Sequence, residues 1–152
     1  VTARTTAIAV PYSAGQMYAL VADVERYPEF LPWCAALRVV SRRSDGGVEL
    51  MTAEMTVAYK VFREQFRSLV RLDPDARRIE VDYVDGLFRN LQNRWAFENG
   101  RDGGSIVRFD IAFEFRNILL QTAARAVFDK AFARMSDAFV ARAHALYGGG
   151  ER

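Results

Sequence analysis

Cysteine and histidine are almost missing from this 152-residue chain: Cys34 and His144 are the only ones. A lone cysteine excludes an internal disulfide and suits a reducing compartment. A lone histidine excludes a multi-histidine metal site, and no Cys-x-x-Cys pair offers thiolates instead. His144 has no Asp or Ser at a spacing that would build a triad, so it reads as a cation near a helix C-terminus, where the helix dipole favours it. Cys34 has no base tied to it by spacing and reads as a small buried hydrophobe opening a strand. No run of about 18 apolar residues exists, so no membrane-spanning helix is expected. The first six residues lack the charged-then-apolar layout of a secretory signal, which points to the cytoplasm. Lysine is scarce as well. Lys60 and Lys130 are the only two among 21 basic residues, and the net charge of +2 is too small to argue for nucleic acid by itself.

Hydrophobic content of 51% with 26% charged residues suits one globular domain with a real core. No repeat, low-complexity tract or composition break divides it. The expected domain covers residues 1–147, with 148–152 as a flexible tail. Residues 3–10 alternate and are rich in Thr, Ile and Val, reading as a strand that ends at Pro11. Ser13 and Gln16 form a Ser-x-x-Gln capping box, and Met17, Leu20, Val21 and Val24 supply the apolar stripe of a short helix. A second short turn is expected over Val24–Tyr27. Then comes Tyr27-Pro28-Glu29-Phe30-Leu31-Pro32-Trp33-Cys34. Its two prolines predict extended, irregular backbone, while its aromatic load predicts a segment folded onto a core or a ligand.

From Ala35 to Phe115 turn signals separate six strands. Ser44–Gly47, Asp73–Ala76 and Asn99–Gly104 close hairpins, Asp85-Gly86 marks another break, and a reversal falls near Tyr59-Lys60. Alternation assigns the inner face to Met51, Ala53, Met55, Val57 and Tyr59 on one strand. It assigns Phe62, Glu64, Phe66, Ser68, Val70 and Leu72 on the next, and Val107, Phe109, Ile111, Phe113 and Phe115 on the last. Residues 118–147 carry apolar side chains at threes and fours (Leu119, Leu120, Ala123, Val127, Phe128, Ala131, Phe132, Met135, Ala138, Phe139, Leu146), with Gln121, Arg125, Lys130, Arg134 and Asp137 opposite. Thirty residues make a rod of about 45 Å, stopped by Gly148-Gly149-Gly150. The order β-α-α-β6-α packs economically in one way: a curved seven-stranded antiparallel sheet wraps the long helix, and the short helices plug one end.

Two inner-face polar residues need partners. Glu64 either pairs with an arginine, sits at an open end, or is turned outward by a bulge. Asn93 shares a face with Leu91, Trp95 and Phe97, and an internal bond to backbone is the expected solution. On the outer face Arg63, Arg67 and Arg71 form a ladder beside Arg38, Arg42 and Arg43. It offers a surface to ribosomal RNA or anionic lipid heads, or it pairs with Glu49, Glu80 and Asp82 across strands. No aromatics interleave with it to stack bases.

The order of elements resembles the START-type helix-grip fold of the α+β class. Asp23–Cys34 closely resembles the signature of the coenzyme Q-binding, polyketide cyclase/dehydrase-like START family, and Gly86-Leu87-Phe88 through Asn93-Arg94-Trp95-Ala96-Phe97 is similar to that family's second motif. The resemblance implies a non-catalytic carrier or chaperone that binds the isoprenoid quinone, most closely ubiquinone, as ligand and not as cofactor, and supports respiratory electron transport. It also implies a place in the cytoplasm, with peripheral contact at the inner membrane. The family also takes in ribosome association toxins, which implies ribosome contact through Arg63, Arg67 and Arg71 as an alternative, and the related cyclases imply a third. The expected ligand-binding residues follow. Tyr27, Phe30, Leu31 and Trp33 form a lid, and Val127–Met135 a helix wall. Met51, Met55, Phe62, Phe66, Phe113, Phe128, Phe132 and Met135 line the hollow, with Phe88 and Trp95 from the second motif. Glu64 and Asn93 are candidate donors to a quinone carbonyl. Methionine and phenylalanine suit a flexible isoprenoid tail.

Overall fold

The computed structural model describes residues 2–148. Strand β1 (Thr2–Val10) leads into helix α1 (Ala14–Ala22) and a 3-10 helix (Val24–Glu29). Six further strands follow: β2 (Cys34–Asp45), β3 (Val48–Tyr59), β4 (Phe62–Asp73), β5 (Arg78–Gly86), β6 (Phe88–Asn99) and β7 (Ser105–Phe115), with helix α2 (Ile118–Tyr147) last. All seven strands lie in one antiparallel sheet, ordered β1-β7-β6-β5-β4-β3-β2. The meander β2 to β7 is joined at its far edge by β1, and α2 lies across the concave face in the expected helix-grip arrangement. The Gly149–Arg152 part of the expected tail lies outside the described residues.

The turn chemistry works as the residues dictate. Gly46 and Gly47, both at positive φ (60° and 86°), form the two-residue β2–β3 turn. Lys60 (φ 53°) serves the β3–β4 reversal, and Asp102 (φ 53°) with Gly103 (φ 78°) serves the β6–β7 connection. Ser13 accepts from the Gln16 N–H at 3.1 Å, and the Gln16 side chain accepts from the Ser13 N–H at 2.9 Å, completing the capping box. Asn117 caps α2 by accepting from the N–H groups of Leu119 and Leu120.

Three local expectations change. Pro28 sits inside the 3-10 helix instead of in extended chain. Its ring fits there because its φ matches a 3-10 turn, and the turn's bonds come from the N–H groups of Arg26, Phe30 and Leu31, so the missing donor is not needed. Gln121, expected on the wet face of α2, is only 6% exposed. It accepts from the Phe115 N–H at 2.8 Å and donates to Thr2 Oγ1 at 3.2 Å, tying α2 to both strands at that edge. Leu119 and Leu146, expected in the apolar stripe, are solvent-exposed. The stripe begins one residue later, at Leu120, with Ile118 and Leu119 on the solvent side of the first turn.

The far end of α2 is pinned from several directions. The Tyr12 hydroxyl bonds His144 Nδ1, the Tyr147 hydroxyl donates to the Gln16 carbonyl at 2.9 Å, and Arg142 donates to Glu29 at 2.8 Å. His144 is thus a fastening between α2 and the β1–α1 corner, beyond the dipole cation that its position suggests. Midway, the Arg4 guanidinium lies 5.6 and 5.1 Å from the ring centres of Phe128 and Phe132 and pairs with Asp129.

Gly86 decides how β5 turns into β6. Its φ is +121°, and a Cβ there would stand 2.5 Å from the Gln65 carbonyl oxygen and 2.6 Å from Phe66 Cα. Gly86→Ala is therefore expected to cost about 3 kcal/mol, from backbone strain plus the clash. Denaturant unfolding with an unchanged m-value measures it, and a loss too small to resolve would refute the account.

Candidate functional site: a two-compartment hollow under the long helix

Between α2 and the concave sheet lie two apolar cavities. The outer one, of ≈ 200 Å³, is bounded by the β3–β4 end (Val57, Tyr59, Phe62, Glu64), Leu87, and Ile111, Phe113 and Phe115 of β7. The helix closes it with Leu120, Ala123, Ala124, Val127, Phe128, Ala131, Phe132 and Met135. The inner one, of ≈ 250 Å³, reaches from Tyr27, Leu31 and Pro32 across β3 to β7. Trp33, Val57, Ile111 and Met135 belong to both and form the neck between them. For scale, an apolar cavity near 150 Å³ accepts a benzene ring.

The hollow exists because of residue size along one helix face. Ala123, Ala124 and Ala131 stand where Phe132 and Phe139 stand elsewhere on α2. The large rings reach the sheet: Phe109 and Phe132 are 5.4 Å apart between centroids, and Trp95 and Phe139 5.2 Å. The alanines fall short of it and leave space.

Of the residues expected to bind a ligand, Trp33, Phe62, Glu64, Phe113, Val127, Phe128, Phe132 and Met135 line the outer compartment. Tyr27, Leu31, Met55, Phe66, Phe88, Asn93 and Trp95 line the inner one, and Trp33 and Met135 also reach it. Two are corrected. Met51 is 1% exposed and lines neither cavity; it is sealed in the core, opposite Val70 in the β3–β4 ladder. Phe30 lines neither cavity; it packs on Phe139 at 5.3 Å and beneath the Arg142 guanidinium at 5.1 Å. The sequence reading missed Leu87, Ile79, Val81, Leu37, Ala123 and Ala124 as cavity residues, whereas Ala131 falls within the expected Val127–Met135 wall. Alternation had already placed Val57, Tyr59, Ile111 and Phe115 on the inner face, and the alanines' small volume was the available signal for the rest.

Glu64 proves exposed, at the open end of the outer compartment and not buried among the phenylalanines. Asn93 is satisfied internally: Nδ2 donates to the Asp110 carbonyl at 2.9 Å, and Oδ1 accepts from Trp95 Nε1 at 2.9 Å. Trp33 holds a left-handed backbone (φ 66°), unusual for an aromatic residue, and its carbonyl accepts from the Ala58 N–H at 2.9 Å. Tyr27 donates to the Val21 carbonyl, and burial pushes its phenol pKa up. Burial also pushes the Cys34 thiol up, to about 11. Among the described residues no cluster of three or more His, Cys, Asp or Glu side chains is placed to hold a metal, and no helix is long and apolar enough to cross a membrane.

The convex face is electrostatically busy but largely paired. Glu54 accepts from Arg38 at 3.0 Å and Arg67 at 3.1 Å, and these bonds hold its carboxyl below the usual range. Arg42 spans Glu49 at 2.8 Å and Glu25 at 2.7 Å, and Arg71 lies 3.9 Å from Asp73. Asp82 pairs with Arg94 rather than with the ladder.

A family model described as polyketide cyclase / dehydrase and lipid transport matches residues 10–140. The ribosome association toxin RatA of Pseudomonas aeruginosa is 36% identical over 139 residues, 91% of this chain and 93% of that protein. The mitochondrial coenzyme Q-binding protein COQ10 homolog B of Xenopus laevis is 31% identical over 141 residues, 90% of this chain and 56% of that protein. The solution structure of an 18 kDa protein from Caulobacter crescentus superposes with a TM-score of 0.81 at 36% identity, covering 97% of this chain and 99% of that one.

A thiol whose folded pKa is raised stays protonated, so its share of stability is complete below the unfolded value of 9.0 and is lost as pH climbs toward about 11. The unfolding midpoint is expected to fall across that window and to fall less in Cys34→Ala. Equal slopes in the two proteins would exclude the thiol as a contributor.

Proposed function

The chain belongs to the polyketide cyclase / dehydrase and lipid transport family, and we propose that it binds an isoprenoid quinone, ubiquinone above all, in the hollow under α2. There it acts as a carrier or chaperone that supports respiratory electron transport from a peripheral position at the membrane. The observation that carries this reading is the pair of adjacent apolar compartments, which share Trp33, Val57, Ile111 and Met135 and are walled by methionine, alanine and aromatic side chains. That lining suits a ring followed by a flexible hydrocarbon tail. The coenzyme Q-binding relative supports the choice of ligand.

A ribosome-associated role is the second reading, supported by the RatA relative, which is similar over nearly the whole chain. Against the arginine ladder as its contact, Arg67 and Arg71 each already face a carboxylate. A cyclase or dehydratase role finds less support. The ionisable groups on the cavity walls are Tyr27, Cys34, Tyr59 and Glu64, of which burial holds Tyr27 and Cys34 neutral and Glu64 lies at the rim. A general acid/base pair facing the cavity is what such chemistry needs.

Ala131→Phe places a ring in the outer compartment. It is expected to leave the unfolding midpoint unchanged or raised, while cutting the affinity for a short-tailed ubiquinone at least about tenfold. Quenching of Trp33 and Trp95 fluorescence reads the affinity. Purified protein that neither carries nor takes up quinone would overturn the reading. Sedimentation with ribosomal large subunits, weakening steeply with salt and indifferent to Ala131→Phe, would replace it with the second.

A further inference from the structure

The two compartments differ in polarity. Glu64 stands at the open end of the outer compartment, whose remaining walls are aliphatic and aromatic. The inner one holds Ser68, 5% exposed, and the amide of Asn93. Tyr83 stands directly opposite Ser68 in the β4–β5 ladder and therefore on the same face of the sheet. Its ring packs edge-on to Phe88, 6.0 Å between centroids, among residues that line the inner compartment. Its hydroxyl is buried with no hydrogen-bond partner. Tyr83 lines neither compartment itself, so its hydroxyl lies behind the inner compartment's wall; buried hydroxyls are nearly always satisfied, and this one gains an acceptor only when its ring turns toward the space in front of Ser68.

Asn93 points the same way. Its two bonds, to the Asp110 carbonyl and from Trp95, fix the amide's orientation and use only one of its two N–H groups. Two donor-bearing side chains thus stand on the inner compartment, the Ser68 hydroxyl and the Asn93 amide, with the unpartnered Tyr83 hydroxyl behind its wall. No cation accompanies them, which suits neutral carbonyl acceptors and disfavours a phosphate or carboxylate head.

We propose that the hollow is directional. A ring bearing carbonyl oxygens enters first and is held in the inner compartment by Ser68 and Asn93, and the Tyr83 side chain turns in to donate its hydroxyl as well. The hydrocarbon tail runs back through the neck of Trp33, Val57, Ile111 and Met135 to the outer mouth. This orientation rests on the quinone reading. It adds that these three residues, remote from the mouth, select for a carbonyl-bearing head over a bare hydrocarbon.

The test compares two probes, a short-tailed ubiquinone and farnesene, a hydrocarbon like its tail, on the wild type, Tyr83→Phe and Ser68→Ala. Tyr83→Phe removes only the partnerless hydroxyl, so the free protein is expected to unfold no earlier than the wild type. Its affinity for ubiquinone is expected to drop about tenfold, with farnesene within about twofold of wild type. Ser68→Ala is expected to act in the same direction and gives an independent reading. Unchanged ubiquinone binding in both variants, or equal loss of both probes, overturns the inward head while leaving quinone binding in place. Failure of the wild type to bind ubiquinone overturns the quinone reading and the orientation with it.

Discussion

An apolar hollow between two layers closes unless its walls are held apart, and that constraint governs this molecule. At roughly 24 cal/mol per Å³ of void, a space of ≈ 250 Å³ would, if sealed and dry, cost on the order of 6 kcal/mol. That is comparable with the whole stability of an ordinary domain, about 5–15 kcal/mol. Collapse is resisted by fastening α2 at its ends and along one flank. Gln121 and the Asn117 cap hold its start. Tyr12, Gln16 and Glu29 hold its last turns through His144, Tyr147 and Arg142. Arg4 holds the β1 side through Phe128, Phe132 and Asp129. The flank left unfastened carries Ala123, Val127 and Ala131, which face Trp33, Tyr59 and Phe62 across the outer compartment.

The Tyr27–Cys34 segment belongs to the same scheme. Its first half is anchored: Tyr27 and Phe30 pack edge-on to Phe139 at 5.6 and 5.3 Å, and Glu29 takes Arg142 and Arg26. Its second half, Leu31-Pro32-Trp33, turns inward through the left-handed Trp33. That conformation is costly for an aromatic residue, and it sets the indole at the neck between the compartments. One segment thus divides into an anchor and a gatepost, and its aromatic load serves both.

Much of this was legible in the chain. The order of elements, the capping box at Ser13, the hairpin turns and the inward sides of β3, β4 and β7 follow from spacing and alternation, which depend on local geometry alone. The parts that were not legible depend on what lies opposite. Met51 and Met55 are four residues apart on one face, yet one is sealed in the core and the other lines a cavity, because different parts of the structure cover them. Gln121 reads as a surface residue until its partners, Thr2 and the Phe115 N–H, are brought to it from 119 and 6 positions away. Pro28 reads as a break because its ring forbids an α-helix interior, whereas a 3-10 turn uses its φ.

The same distinction separates the two faces of the sheet as candidates for function. On the convex face charges meet their opposites: Glu54 with Arg38 and Arg67, Arg42 with Glu49 and Glu25, Arg108 with Glu98. Such exposed pairs contribute little to stability; they engage Arg38, Arg42 and Arg67, while Arg63 and Arg43 enter no ion pair among the described residues. On the concave face the balance is reversed, with apolar surface left uncovered and a buried hydroxyl left without an acceptor. Uncovered apolar surface and an unpartnered donor are both deficits that one amphiphilic molecule can make good together.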